Sequence, residues 1–393
     1  ISRQRFYGVP IPVWYCENCN EIILPEKDEL PIDPLEKKKK CSKCKSEAIP
    51  DRDVFDTWMT SSNTPEISSR WLEKPKLYKK IAPMSLRPQS HDIIRTWAFY
   101  TILKSHLLFK RIPWKDIMIN TFVLDSRGRG MSKSKGNAVW ADELIKKYGV
   151  DALRYWVSSA SLGTDLPFNE MELVAGKRFL TKLKNSSAFI FTNLKDYKPS
   201  RPKKLEKIDI WMLQEIKKTS EKAKKFYLEY NISSARREID DFFWHTFCDN
   251  YLEIVKFRIY NGNTLQKKSA QYVLYECLLG IIKLMAPITC FITEEIYQKY
   301  FRKFEKKKSI HLTEFPKIEL KESKEVNNAG DSFIKILSQV RQKKSKAQKS
   351  MKAEIILTIT NGERKKLKSF LDDLKHVTNA KEIKTGKFDV EFV

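Results

Sequence analysis

Apolar and polar positions change rhythm several times along the chain. Residues 1–60 mix short extended runs with turn signals. From residue 84 the pattern becomes the alternation of an α/β fold: 93–109 reads as an amphipathic helix, and 117–124 (IMINTFVL) as a buried strand. A polar, glycine-containing loop covers 125–137, and a new helix starts over 142–148. Strand, loop and helix in this order predict a parallel sheet with its ligand loops at the carboxyl edge. Prolines and lysines at 197–207 (YKPSRPKKLEK) mark a linker. Beyond it, 208–230, 233–260 and 267–304 carry helical periodicity, with Pro287 starting a turn or kink, so an α-helical bundle is expected. A polar stretch over 317–329 leads to a last helix at 331–346; 353–360 alternates as a strand, 363–374 as a helix and 388–393 as a strand. These last elements predict a small α/β appendage. The chain contains no internal repeat.

Composition narrows the picture. A chain of 393 residues with 41% hydrophobic and 12% aromatic residues supports packed cores in two to four domains. No apolar run approaches the roughly 20 residues that span a bilayer. The polar, basic opening carries no secretory signal, so a cytoplasmic protein without a membrane partner is expected. The chain opens on Ile1 rather than Met, as part of something longer. The net charge of +25 points to a polyanionic partner, because Lys and Arg displace counterions from phosphates. A lysine-rich surface without a specific partner is the other reading. The run Lys37 to Lys40 reads as a solvated loop tip.

Cysteine spacing adds the first chemistry. Cys16 and Cys19, then Cys41 and Cys44, form two CxxC turns separated by 21 residues. Each turn aims two thiolates at one point, and two turns complete a tetrahedral site with no open position. The expected metal is structural Zn2+, in a ribbon over about 14–48. Four unrelated buried cysteines are the competing reading. Cys248, Cys277 and Cys290 stand singly on helical patterns and read as core.

The loop at 128–137 (GRGMSKSKGN) follows the expected strand directly. Its small and polar residues leave it mobile, and its ammonium groups are of the kind that offsets charge on a leaving pyrophosphate. Alone, such a loop is equally an exposed turn. Together with KYGVDALRYW at 147–156, however, it resembles the signature loop of class I aminoacyl-tRNA synthetases of the valine, isoleucine and leucine group. Further segments resemble the same family: ISRQRFYG at 1–8 with Pro10 to Pro12, DVFDTW at 53–58, and RPQSHDIIRTWAFY at 87–100. So do FFWHTFCDNYLE at 242–253 and FITEE at 291–295. The run HDIIRTWAFY and the cysteine ribbon after IPVWYC are closest to the valine enzymes, with isoleucine or leucine enzymes as runner-up. The resemblance covers most of 1–320; the last 60 residues are similar to the short C-terminal extension of archaeal-type valine enzymes.

The resemblance implies the second half of a Rossmann-type catalytic core with a zinc ribbon over 1–165, its signature loop at 127–137. A stem-contact region and linker over 166–204, an anticodon-binding helical bundle over 205–320 and the appendage over 330–393 follow. It implies ATP with Mg2+, valine and tRNA(Val) as substrates. Lys133 contacts the ATP phosphates, with Ser132 and Ser134 beside it, and Met131 and Asn120 adjoin the nucleotide. Asp92 accepts from the adenylate ribose or the valine amino group. Trp97 and Trp58 wall the amino-acid pocket, although from spacing alone each is as readily core. Phe243, Trp244, Phe247 and Tyr251 read as bundle core rather than as RNA-stacking rings. The family usually has lysine where this chain has Gly130, and glycine at Ser90 and Thr121; all three departures bear on nucleotide binding. The His-x-Gly-His motif of the first half of the core and the editing domain are not found. The chain alone is therefore expected to be inactive, with that half supplied in cis or in trans. A non-catalytic tRNA-binding remnant is the alternative from another class.

Overall fold

The computed structural model describes residues 2–4 and 7–393. Ile1, Arg5 and Phe6 of the opening motif lie outside the described residues. The chain divides into two compact units, Ile1–Phe122 with Leu162–Thr164, and Val123–Ser161 with Asp165–Val393.

The first unit begins with a four-stranded antiparallel sheet, in the order Ile22–Ile23, Trp14–Tyr15, Glu47–Pro50, Lys39–Lys40. Trp14 is fully buried, and its Nε1 donates to the Lys37 carbonyl at 2.8 Å. The lysine run is therefore not a solvated loop tip. Lys39 and Lys40 form the edge strand, Lys39 lies 4.8 Å from the Trp14 ring centroid, and Lys37 and Lys39 share Glu29. A buried indole and one carboxylate fold a charge run into the sheet.

The rest of this unit is built on a βαβ element. Met84–Ser90 runs parallel to Trp114–Asn120, with register from Met84↔Trp114 to Ser90↔Asn120. The connection carries the helix Phe99–Phe109, entered through a π-turn at Ile94–Ala98. The strand expected at 117–124 starts earlier and breaks after Asn120, resuming only at Val123–Leu124. Phe122 leaves the strand to meet the His91 ring edge-on at 5.6 Å. Ile94, Phe99, Ile102 and Ile117 are exposed around an open apolar hollow of about 700 Å³ with Gln89 in its lining.

In the second unit Val123–Leu124 pairs in parallel with Leu166–Pro167. The helices Ala141–Tyr148 and Val150–Val157 lead to the long helix Glu170–Asn193. The bundle continues through Lys207–Leu228, Ile232–Asp241, a π-helical run Phe242–Tyr251, and Thr264–Met285. The helix Cys290–Ile296 begins after the break at Pro287. Phe179, Phe243, Phe247, Tyr251 and Cys277 are fully buried in one apolar core, whereas Cys290 is only half-buried.

The helix expected at 331–346 is longer than its pattern suggested, and the one expected at 363–374 is two, Asn361–Lys366 and Leu371–Thr378. Lys324–Lys346 begins inside the polar stretch, capped by Ser323 accepting from the Val326 N–H. Gly330 lies flat on Trp211, where any Cβ would collide with the indole. Contact with the bundle, not periodicity, places those seven residues in the helix. A three-stranded sheet follows in the order Ala380–Thr385, Ile355–Ile359, Asp389–Phe392, the first pair parallel and the second antiparallel. The strand Ala380–Thr385 was not expected, because its sequence AKEIKT is mostly exposed and lacks a clean apolar alternation.

Two buried charged groups organise this appendage: Arg258 ties it to the bundle and Lys344 ties its helix to its sheet. Arg258 makes two bonds to Asp209, at 2.7 and 2.8 Å, and its Nε lies 2.9 Å from Asp373. Tyr251 and Ser269 also donate to Asp209. Lys344, 1% exposed, donates to the carbonyls of Met351, Ala353 and Thr378 at 2.7–2.9 Å.

Candidate functional site

The βαβ element brings two of the expected site residues, Asn120 and Asp92, to one edge, with Ser90 beside them. Ser90 and Asn120 are register partners at the carboxyl ends of the parallel strands. Asp92 follows in the short 3-10 turn His91–Ile93, exposed. Loops at this edge of a parallel sheet, followed by a helix start, are where ligands meet α/β proteins. The Ser90 hydroxyl, buried, has no hydrogen-bond partner among the described residues.

Trp97 is half-buried, and its Nε1 donates to the Ser61 carbonyl at 2.9 Å. Ser61 closes the short helix Thr57–Ser61 that carries Trp58, itself half-buried and capped by Asp56 accepting from the Trp58 N–H at 2.9 Å. Lys104 steadies the same segment, donating to the Met59 carbonyl at 2.6 Å and to Asn63 at 3.1 Å. The two tryptophans thus sit on elements joined by a hydrogen bond. Behind Trp97 lies Arg87, the first residue of the 87–100 motif but one to which the motif assigned no role: its guanidinium stacks on the indole, and the residue is 7% exposed.

The signature loop belongs to the second unit and is organised at its base by Asp125, which no motif named, and by Asn137, the last residue of the motif. Asp125, 6% exposed, accepts from the N–H groups of Arg127 and Arg129 at 2.9 and 2.8 Å. It also accepts from Arg129 Nε and from Asn137 Nδ2, both at 2.9 Å. The Asn137 bond and those from Arg129 and Arg127 hold the Asp125 carboxyl well below the usual carboxylate range. Asn137 ties the far side of the loop, accepting from the Ser132 N–H at 3.0 Å and donating to the Gly130 carbonyl at 3.3 Å. Ser132 caps the turn Lys133–Lys135, and Gly136 at φ +64° closes it. In this conformation hydrogen bonds to Asp125 and from Asn137 close the loop at its base.

Lys133 stands on this loop, exposed, its Nζ 5.3 Å from the Trp140 ring centroid. No carboxylate lies against it among the described residues. Ser134 lies 3.2 Å from the Ser132 hydroxyl, and Met131 is half-buried. Gly130 bridges Leu124. The neighbouring Arg129 is committed to Asp125, at 2.9 Å.

The four cysteines converge. Their sulfurs lie within 4.8 Å of one another, with Cys16–Cys44 at 3.3 Å and Cys19–Cys41 at 3.5 Å. Both turns use the same backbone pattern: Cys16 N–H to Glu21 O with Asn20 N–H to Cys16 O, and Cys41 N–H to Ser46 O with Lys45 N–H to Cys41 O. Asn20 and Lys45 take the left-handed conformation that the turn requires, at φ +57° and +64°. Hydrogen bonds from Ser46 hold the Cys44 thiol down to about 5. A tetrahedral Zn2+ with bonds of about 2.3 Å needs sulfurs about 3.8 Å apart, and this quartet fits one.

A basic groove runs along the helix Glu170–Asn193. Val174, Lys177, Arg178, Lys182, Asn185 and Trp244 line a hollow of about 490 Å³, with Lys182 Nζ 5.5 Å from the Trp244 ring centroid. Phe243, Phe247 and Tyr251 are core as expected; half-buried Trp244 packs against that core and also forms part of the groove wall. Cations beside an aromatic face are the chemistry of single-stranded RNA binding.

Residues 1–169 match the family described as tRNA synthetases class I (I, L, M and V), and residues 209–359 match the anticodon-binding domain of tRNA ligase. Valine–tRNA ligase of Archaeoglobus fulgidus is 41% identical over 87% of this chain and 39% of its own length. That of Thermococcus kodakarensis is 39% identical over 100% of this chain and 45% of its own. That of Ehrlichia ruminantium (strain Welgevonden) is 40% identical over 98% of this chain and 48% of its own. The chain thus spans less than half the length of these relatives. Among solved structures, a ternary complex of an Agrobacterium radiobacter LeuRS with tRNA and LeuAMS covers 92% of this chain and 44% of its own at TM-score 0.65 and 18% identity, a likeness of fold alone. No helix among the described residues is long and apolar enough to cross a membrane. By both family matches and by its relatives, the chain belongs to the class I tRNA synthetases, in the valine–tRNA ligase branch.

Proposed function

We propose that this chain forms part of a valine–tRNA ligase. The enzyme joins valine to ATP as valyl-adenylate, releasing pyrophosphate, and transfers the valyl group to tRNA(Val). One observation carries the reading: Lys133, free of any described carboxylate, rides on a loop whose shape the Asp125–Asn137 bond fixes. A preorganised ammonium at that place offsets the charge that builds on the leaving pyrophosphate without waiting for the loop to reorganise. Ser132 and Ser134 donate to the same oxygens, and Met131 and Asn120 border the nucleotide. Asp92 accepts from the ribose or from the valine ammonium, and Trp97 with Trp58 walls the amino-acid pocket. Mg2+ accompanies ATP and neutralises its phosphates.

The cysteine quartet holds a structural Zn2+ that stabilises the small antiparallel sheet. Residues 1–165 make up the second half of a Rossmann-type core with a zinc ribbon, 166–204 a stem-contact region and linker, 205–320 the anticodon-binding bundle and 330–393 an appended α/β piece. The groove at Trp244 receives tRNA, and the reaction runs in the cytoplasm, where ATP and tRNA are available.

The test is amino-acid-dependent exchange of pyrophosphate into ATP by the full-length protein that contains this chain. Exchange with valine, and at least about 100-fold less with isoleucine or leucine, is expected, since selection between such side chains rests on differences of one or two methylenes. Preference for either of the others overturns the valine assignment. Gly130, standing where relatives of this kind are expected to carry lysine, favours one alternative, a tRNA-binding remnant without catalysis. Intact tRNA binding with no exchange for any amino acid would establish it.

A further inference from the structure

We infer that Trp140 is a positioning residue for adenylate formation: its ring seats the Lys133 ammonium beside the signature loop, ready for the triphosphate. Nζ of Lys133 lies 5.3 Å from the centroid of the Trp140 ring, and both residues are exposed, Trp140 by 48%. An indole face attracts a cation through its quadrupole and is the best of the aromatic platforms for one. This inference rests on the proposal that Lys133 meets the phosphates of ATP, and it names the side chain that keeps it in place.

The platform is itself anchored. Trp140 is the residue before the helix Ala141–Tyr148, and its carbonyl accepts from the Leu144 N–H at 3.3 Å. At the far end of that helix Lys147 and Tyr148 both donate to Glu170, Lys147 at 2.5 Å. On the loop side Asn137 is bonded to Asp125, Ser132 and Gly130. The backbone is thus tied down on both sides of the pair, and the stem of Lys133 is what is left to move. A free lysine stem samples many rotamers, and ordering it before the substrate arrives removes that cost from the reaction.

What holds the ammonium matters as much as that it is held. Arg129, in the same loop, is neutralised by Asp125 at 2.9 Å. Asp142 and Glu143 stand in the first turn of the helix that follows Trp140. Among the described residues neither forms an ion pair with Lys133. A carboxylate there would cancel the charge and repel the incoming triphosphate. A ring has no formal charge, so the ammonium keeps its full field for the anion. Lys135 has neither ring nor carboxylate against it among the described residues, and Gly130 supplies no ammonium, which leaves Lys133 as the loop lysine with a fixed seat.

The experiment measures single-turnover formation of valyl-adenylate by the full-length enzyme, with ATP and valine varied in turn. Trp140→Ala should slow it about two- to fivefold, the rate equivalent of one exposed cation–π contact. Trp140→Leu, which keeps apolar bulk without a quadrupole, should match Trp140→Ala, and Trp140→Phe should recover most of the loss. The valine dependence should not move, because Lys133 acts on the phosphates. In a Lys133→Ala background Trp140→Ala should cost nothing further, since the ring then has nothing to position. Full activity in Trp140→Ala, or Trp140→Leu as fast as Trp140→Phe, overturns the inference. So does an equal loss from Trp140→Ala with and without Lys133, the mark of a ring that only supports the fold. A weakened ATP dependence that persists in the Lys133→Ala background overturns it in favour of a ring that stacks on adenine. A Lys133→Ala enzyme as fast as wild type, or a wild type that forms no valyl-adenylate, overturns the underlying reading instead, so the two failures are distinguishable.

Discussion

The guanidinium carbon of Arg87 lies 3.1 Å from the centroid of the Trp97 ring. Trp114 closes the other approach at 4.7 Å, and neither Nε nor Nη2 of Arg87 has a hydrogen-bond partner. Burial pulls the guanidinium down to about 10, so it remains charged at neutral pH. A desolvated cation over an indole gains about 2 kcal/mol, but an unpaired buried charge costs at least as much. Arg87→Leu is therefore expected to leave the melting temperature unchanged or raise it slightly. Because the stack fixes the plane of Trp97, the same variant should raise the KM for valine about tenfold in pyrophosphate exchange, with kcat within about twofold. A melting temperature lowered by more than about 4 °C with unchanged KM would reduce Arg87 to a residue of the fold.

The signature loop makes three predictions, the first two opposite in sign. Lys133→Ala should cut the adenylation rate by about 100-fold, the usual cost of one charge-stabilising donor. Gly130→Lys should raise it, by anything from a few-fold to about 100-fold, since a charged hydrogen bond is worth about 1–3 kcal/mol. The Gly130 backbone is already extended and bridged to Leu124, so the new side chain meets no backbone strain. Asn137→Ala should lower kcat while leaving the KM for valine alone, because Asn137 touches only the loop. Single-turnover measurements of adenylate formation check all three.

Arg258 serves two carboxylates, Asp209 and Asp373, in the interior of the bundle. Burial pushes the Asp373 carboxyl up to about 7 against the pull of Arg258. A carboxyl whose folded value exceeds its unfolded one, near 3.9, binds its proton more tightly when folded. Its contribution is favourable at low pH and is lost as pH rises between those two values. Melting temperature should accordingly fall from pH 5 to pH 8 by a component that Asp373→Asn removes. Arg258→Met, which leaves Asp209 buried without its cation, should cost about 3–5 kcal/mol in urea denaturation. A pH profile identical in Asp373→Asn and wild type would rule out the titration.

One Zn2+ per chain is expected by elemental analysis of the purified full-length enzyme. Cys16→Ser with Cys41→Ser should abolish it and expose the Trp14 ring, raising its susceptibility to fluorescence quenching. Metal binding to such quartets supplies roughly 10–16 kcal/mol of apparent folding energy, far more than strands of two to four residues obtain from their own contacts. Full protein with no metal and an unchanged Trp14 signal would return the four cysteines to the status of ordinary core residues.

Periodicity and spacing made some of this molecule legible and not the rest, for identifiable reasons. The CxxC pairs announced their convergence because four residues at fixed spacing carry the whole geometry. The helices of the bundle announced themselves because long apolar faces repeat. Asp125 did not: one carboxylate accepting from two backbone N–H groups has no sequence signature, since any loop offers such groups. The role of Arg87 was invisible for the opposite reason: it is a charged residue on a strand whose partners are rings 10 and 27 positions away. The first seven residues of Lys324–Lys346 read as polar coil because Gly330 weakens any helical pattern, while in the folded chain it is what admits Trp211. Trp244 looked like its buried neighbours until its exposure was known.

Lys344 has a consequence for where this chain can be divided. Its ammonium is held by three carbonyls, two within nine residues and the third, Thr378, far beyond. The anticodon-binding match stops at residue 359. A protein trimmed there keeps Met351 and Ala353 but loses Thr378, and with it Asp373 beside Arg258. The cut leaves a lysine under-coordinated in the interior and removes one of two acids facing a buried arginine. The boundary that similarity draws is thus not one at which the polypeptide can be shortened: for expression, crystallisation or domain exchange, the functional module extends through the final strand.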